Sequence, residues 1–174
     1  MLRIYINTWG NYNENGADGG KWISLPMEES DLDAELEAVA ENMGDADPEW
    51  FINDYEWECD DHLTDISENS NLYELNKLAE RIADLNDYEI RVLLAMSEAF
   101  TRDLTEILWY IEHGRYSFYE DMDLTEVAEE FVEACYFSKD TPDIFRRYFD
   151  YEAFGRDLGF DGYTETKWGV IVID

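Results

Sequence analysis

The densest run of potentially reactive side chains is Cys59, Asp60, Asp61 and His62, four consecutive residues that can each ligate a metal ion or move a proton. Neighbouring side chains on an extended backbone diverge, so these four cannot converge on one ion. Structural zinc sites use separated pairs of ligands instead. His113 and Cys135 would complete such a site only through the fold, and nothing in their spacing calls for it. A solvated acidic strand end is the plainer reading, and no metal is expected. In "NYNENGADGGKW", Asn11, Asn13, Asn15 and Gly16 loosely follow a calcium-loop pattern. The twelfth position, however, is Trp22 rather than a bidentate carboxylate, and the flanks read as strands, so a Gly/Asn turn is expected. Paired carboxylates of the glycosidase kind cannot be singled out among 43 acids. No phosphate loop, dinucleotide fingerprint or nucleophile elbow is present. The chain is therefore not expected to be an enzyme.

What the acids do instead follows from their number and placement. Against 43 Asp and Glu stand 12 Lys and Arg, a formal net charge of −31 in 174 residues. A magnitude of about 2–8 suffices to keep a small domain soluble. Hydrophobic residues at 45% and aromatics at 16% still provide a core, which excludes a disordered acidic tail. Such a surface repels nucleic acid and acidic membranes and attracts basic proteins. Between Lys21 and Lys77 there are 18 acids and no Lys or Arg, and seven more acids lie between Tyr116 and Ser138, again without a cation. By sequence these acids are unpaired. Duplex DNA carries about one charge per 1.7 Å of axis, so 31 charges match roughly 50 Å of duplex. A compact chain of this length has a radius of gyration of about 16 Å, so an elongated shape or a dimer fits that density better. Halophilic adaptation also makes surfaces acidic, but it spreads acid evenly and leaves few exposed aromatics. Here the two are interleaved, as in "WFINDYEWE" and "RYSFYEDMD".

The elements that carry these acids are readable from periodicity. "LRIYINTW" alternates as a strand; a turn-rich loop over "GNYNENGADGG" leads to a strand "KWISLP"; "WFINDYEW" is a third strand. Between them Leu32, Leu36, Val39 and Met43 fall at helical spacing, with Ser30 placed to cap and Gly44 to stop. Helices follow over "NLYELNKLAERIADL", "DYEIRVLLAMSEAF" and "DLTEILWYIEHG". The last third reads as a strand "RYSFYED", a helix "DLTEVAEEFVEACYF" and a helix from Pro142, with a break near Gly155, before a terminal hairpin. The helix over 124–135 has an apolar stripe of Leu124, Val127, Phe131, Val132 and Cys135, expected in the core or a dimer contact. The expected class is α+β, in three modules: 1–60 (ββαβ), 61–113 (helical) and 114–174 (mixed, with the dimer contact). Two distant cysteines, no signal-like start and no long apolar run point to a soluble cytoplasmic protein.

"YINTWGNYNENGADGGKWISLP", "NDYE" and "FRRYFDYEAFGRDL", in this order along nearly the whole chain, resemble the ArdA-type antirestriction proteins of conjugative plasmids and transposons. "LTEVAEEFVEACYF" lies where that family carries its antirestriction motif, matching in position and character. The resemblance implies a homodimer of elongated, curved, three-module subunits that imitate bent B-form DNA. Such a dimer occupies the DNA groove of the methyltransferase core of type I restriction-modification enzymes. It implies no cofactor, metal or catalytic residue. On this reading the phosphate-like carboxylates are Asp31, Asp33, Glu35, Glu37, Glu41, Asp45, Asp47, Glu49, Asp54, Glu56, Glu58, Asp60 and Asp61, with Glu120, Asp121, Glu126, Glu129, Glu130 and Glu133 in the second interval. The alternative is an acidic binding module for another basic DNA-binding protein.

Overall fold

A computed structural model describes residues 2–58 and 63–174, so Cys59, Asp60, Asp61 and His62, with the roles expected of them, lie outside the described residues. The class is α+β, with two three-stranded sheets. Packing groups the chain into two units, Met1–Leu85 and Asn86–Asp174.

In the first unit, β1 (Leu2–Thr8) is the centre of an antiparallel sheet between β2 (Lys21–Leu25) and β3 (Trp50–Trp57). Its period of two sends Leu2, Ile4 and Ile6 to complete burial. There they join Leu32, Leu36 and Val39 of α2 (Glu29–Met43) and Leu72, Leu75 and Ala79 of α3 (Leu72–Ala83). Each fully buried Leu or Ile contributes about 1.5–3 kcal/mol, so this cluster holds the unit together against its charge. Asn76 of α3 is buried and clasps one residue at both ends: its Oδ1 accepts from Met27 N at 2.9 Å and its Nδ2 donates to Met27 O at 2.7 Å. That ties the entry of α2 to α3.

Two local expectations are overturned here. The stretch after β1 is not a turn but a helix, α1 (Trp9–Asn15), running into a 3₁₀ turn at Gly16–Gly19. Thr8 caps it, accepting from Asn11 N at 3.1 Å. Asparagines four apart then bond along it: Asn11 Nδ2 donates to Asn7 Oδ1 at 2.8 Å, and Asn15 Nδ2 to Asn11 Oδ1 at 2.9 Å. Asn7 and Asn11 are buried, so helical spacing satisfies amides that a solvated turn would leave to water. Nor does Ser30 cap α2. Glu28 holds that position, without a side-chain hydrogen bond, and Ser30 lies in the first turn. Gly44 stops α2 as expected, in the left-handed conformation at φ 70°.

The second unit starts with α4 (Asp87–Ala99) and α5 (Leu104–Glu112), which bury Val92–Met96 and Leu104, Ile107, Leu108 and Ile111. The strands β4 (Tyr116–Glu120), β5 (Thr164–Thr166) and β6 (Gly169–Ile173) pair antiparallel in the order β4-β6-β5. Between β4 and β5 lie α6 (Leu124–Cys135), α7 (Asp143–Tyr148) and α8 (Tyr151–Phe160). Reciprocal capping boxes start α4 (Asn86 with Glu89) and α6 (Asp123 with Glu126).

The expected helical break near Gly155 is misplaced. The chain breaks at Phe149–Asp150, where Asp150 accepts from Ala153 N at 2.9 Å and starts α8; Pro142 caps α7 rather than opening its first turn. Gly155 sits buried within α8 because α6 crosses there. A Cβ at this position would stand 2.6 Å from the Leu124 carbonyl oxygen. Gly155→Ala gains helix propensity of under about 1 kcal/mol but must push two helix backbones apart, which costs about 1–3 kcal/mol. The variant is expected to be less stable in urea denaturation, although the same exchange at an open helical site would stabilise.

Candidate functional site

The acidic residues are positioned by what lies behind them. In α2, Leu32, Leu36 and Val39 face the core, which turns Asp31, Asp33, Glu37 and Glu41 out to solvent. Asp33 accepts a hydrogen bond from the Tyr73 hydroxyl at 2.7 Å, and Asp45 accepts from Asp47 N at 3.3 Å. Asp33, Glu37, Glu41 and Asp45 line one groove, floored by Leu36, Ala40 and Trp50. Asp47 and Glu49 are exposed beyond it. In β3, Asp54 accepts from Tyr55 N at 2.8 Å and Glu56 is exposed, as is Glu58 just past the strand. In the second unit Asp121, Glu126, Glu129 and Glu130 are exposed, with Glu126 engaged in the capping box.

Among the described residues, the expectation that the phosphate-like acids are unpaired fails for Glu35, Glu56, Glu120 and Glu133. Arg3 bonds Glu56 at 2.8 Å and Lys21 bonds Glu35 at 2.6 Å; Arg91 pairs with Glu120 and Arg146 with Glu133. In each case the cation lies outside the cation-free interval and arrives through the fold. Arg3, for instance, stands opposite Glu56 in the β1–β3 register. Among the described residues, Asp31, Glu37, Glu41, Asp47, Glu49, Glu129 and Glu130 are exposed and take no ion-pair partner.

The stripe on α6 also divides. Val127 and Val132 are wholly buried, Leu124 and Phe131 are half-buried, and Cys135 is exposed. Phe131 stacks near Phe154 at 6.0 Å between ring centres and lies 6.1 Å from Tyr136. No group of three or more His, Cys, Asp or Glu among the described residues is arranged to hold a metal ion. His113 is stacked on Trp109 at 4.5 Å. No helix among the described residues is long and apolar enough to cross a membrane.

The family model described as "Antirestriction protein (ArdA)" matches residues 4–172 of the 174-residue chain. The chain belongs to the ArdA antirestriction family. No curated protein matches it. ArdA membership makes antirestriction the activity, places the chain in a class of non-catalytic inhibitors, and makes restriction enzymes the partner class. The matched span includes both acidic intervals.

A feature of this ArdA chain that linear reading missed is how the acids act on tyrosine. The Tyr73 hydroxyl is held above its ordinary pKa first by its hydrogen bond to Asp33, then by burial and the charges of Asp33 and Glu29. Tyr88 is raised by burial and then by Glu120, and Tyr116 and Tyr119 are raised chiefly by burial. A tyrosine raised in the fold contributes stability that is complete below the unfolded value near 10 and is lost as pH rises through the folded value. Absorbance titration is expected to show these four tyrosines ionising above the ordinary value near 10, with stability falling above about pH 10. Tyr73→Phe should remove one late-titrating group and leave the other three in place.

Proposed function

We propose that this protein is a homodimeric mimic of B-form DNA that occupies the DNA groove of the methyltransferase core of type I restriction-modification enzymes. It blocks restriction, and modification wherever the same groove serves both. It acts in the cytoplasm by occupancy, without chemistry, cofactor or bound nucleic acid.

The observation that carries this reading is the outer face of α2. Asp31, Asp33, Glu37 and Glu41 are exposed there and, with the Lys21-paired Glu35 beside them, span eleven residues and ten helical rises. At about 1.5 Å rise per residue that is about 15 Å, or roughly one carboxylate per 4 Å. One strand of a duplex carries about one phosphate per 3.4 Å of axis. A groove that reads phosphates with Lys and Arg meets a comparable anionic density here. The carboxylates are fixed on a helix packed from behind, so no elastic bending energy is spent as it is for DNA.

The experiment is displacement of a labelled cognate duplex from a purified type I methyltransferase by increasing amounts of this protein. Stoichiometric displacement is expected at moderate salt; none at low salt would refute the proposal. Because many carboxylates share the interaction, Glu37→Gln alone should weaken displacement by less than about threefold, and Asp31, Glu37 and Glu41 neutralised together by far more than any one alone.

The dimer contact belongs, on this reading, to the 114–174 segment. α7 has no buried residue, and Ile144, Phe145 and Tyr148 are 60–77% exposed, with Tyr136 also bare. Apolar side chains this exposed on one short helix fit a self-complementary contact. Phe145→Ser with Tyr148→Ser is expected to halve the mass measured by light scattering. An unchanged dimer mass would move the contact elsewhere.

A further inference from the structure

Three arginines of this chain share one arrangement. Arg3 lies over the Trp22 ring at 5.0 Å and bonds Glu56; Arg102 lies over Tyr110 at 5.3 Å and pairs with Glu106; Arg146 lies over Phe137 at 5.0 Å and pairs with Glu133. Each guanidinium is held between an aromatic face, which attracts it through the ring quadrupole, and a carboxylate, which takes its N–H groups. A planar, weakly hydrated cation suits both partners better than an ammonium does.

The first unit contains a pocket with the aromatic and carboxylate parts of this arrangement and no cation of its own. It is an open cleft of about 370 Å³, within the size range of small-ligand clefts, lined by Trp9, Tyr12, Phe51 and Tyr55 together with Asp54 and Glu68. No lysine or arginine lines it among the described residues. Its aromatic wall is built: the Trp9 ring stacks on Phe51 at 4.2 Å and 15°, and Tyr12 stands edge-on to both, at 6.1 and 5.5 Å. Phe51 is buried, which fixes the wall to β3, whereas Trp9 and Tyr12 keep more than a third of their surface in solvent. Asp54 and Glu68 are exposed at the rim.

We propose that this pocket receives an arginine side chain of a basic protein partner, which supplies the guanidinium of a fourth aromatic–guanidinium–carboxylate sandwich. This rests on the reading of the partner as a basic surface and adds to it a discrete anchor. The broad acidic field attracts any cation, whereas this pocket selects a flat one that also offers N–H groups to two carboxylates.

The test uses the whole protein and N-acetyl-argininamide as probe, with the indole N–H signals of the six tryptophans followed by NMR. The Trp9 signal is expected to shift saturably. Trp22, already covered by Arg3, should hardly move, and the neutral N-acetyl-glutaminamide should shift neither. Asp54→Asn combined with Glu68→Gln, which leaves the aromatic wall intact, should weaken the Trp9 response at least threefold while the other indole signals stay in place. The proposal is overturned if Trp9 responds no more than Trp22, if the neutral amide shifts it equally, or if the double variant binds as well as the parent. No restriction enzyme enters this test, so the pocket and the DNA-groove reading can fail independently.

Discussion

Self-repulsion is the constraint to which every element answers. With 31 uncompensated negative charges, the folded chain gains nothing electrostatically by compaction, and the apolar faces must supply the cohesion. β1 gives Leu2, Ile4 and Ile6 to the core, and α2 gives Leu32, Leu36 and Val39 while leaving its own opposite side to acid. Four of the cations join two elements: Arg3 across the sheet, Lys21 from β2 to α2, Arg91 from α4 to β4 and Arg146 from α7 to α6. They act as local staples and do not neutralise the surface.

The same division explains what could be read in advance. α2, α6 and β1 were legible because their apolar residues are periodic in the chain itself. The helix at Trp9–Asn15 was not, because its asparagines are helical only by virtue of Asn7, whose burial belongs to the sheet. Gly155 looked like a breaker because the crossing of α6 that requires it is a tertiary fact. α3 reads as the start of a helical middle segment, yet Leu72, Leu75 and Ala79 complete the first unit's core.

The candidate site was half legible for a related reason. Runs of acid without cations are visible along the chain, and the carboxylates of α2 do stand out to solvent. Linear spacing could not show that Glu35, Glu56, Glu120 and Glu133 are engaged by cations from elsewhere, nor that acids and aromatics would meet in three arginine sandwiches. Pairing of β1 with β3 places Arg3 beside Glu56, so a register argument alone would have found one of them.

Among the described residues, the buried polar side chains of the first unit are all neutral. Asn7, Asn11 and Asn76 make interior hydrogen bonds through amides and Thr8 through its hydroxyl, while the ionisable groups stay outside. An amide neither gains nor loses a proton when a dense positive surface closes over the molecule. The outside of this protein can thus be covered by a dense positive surface while the scaffold beneath keeps its hydrogen bonds. The asparagine ladder insulates shape from charge.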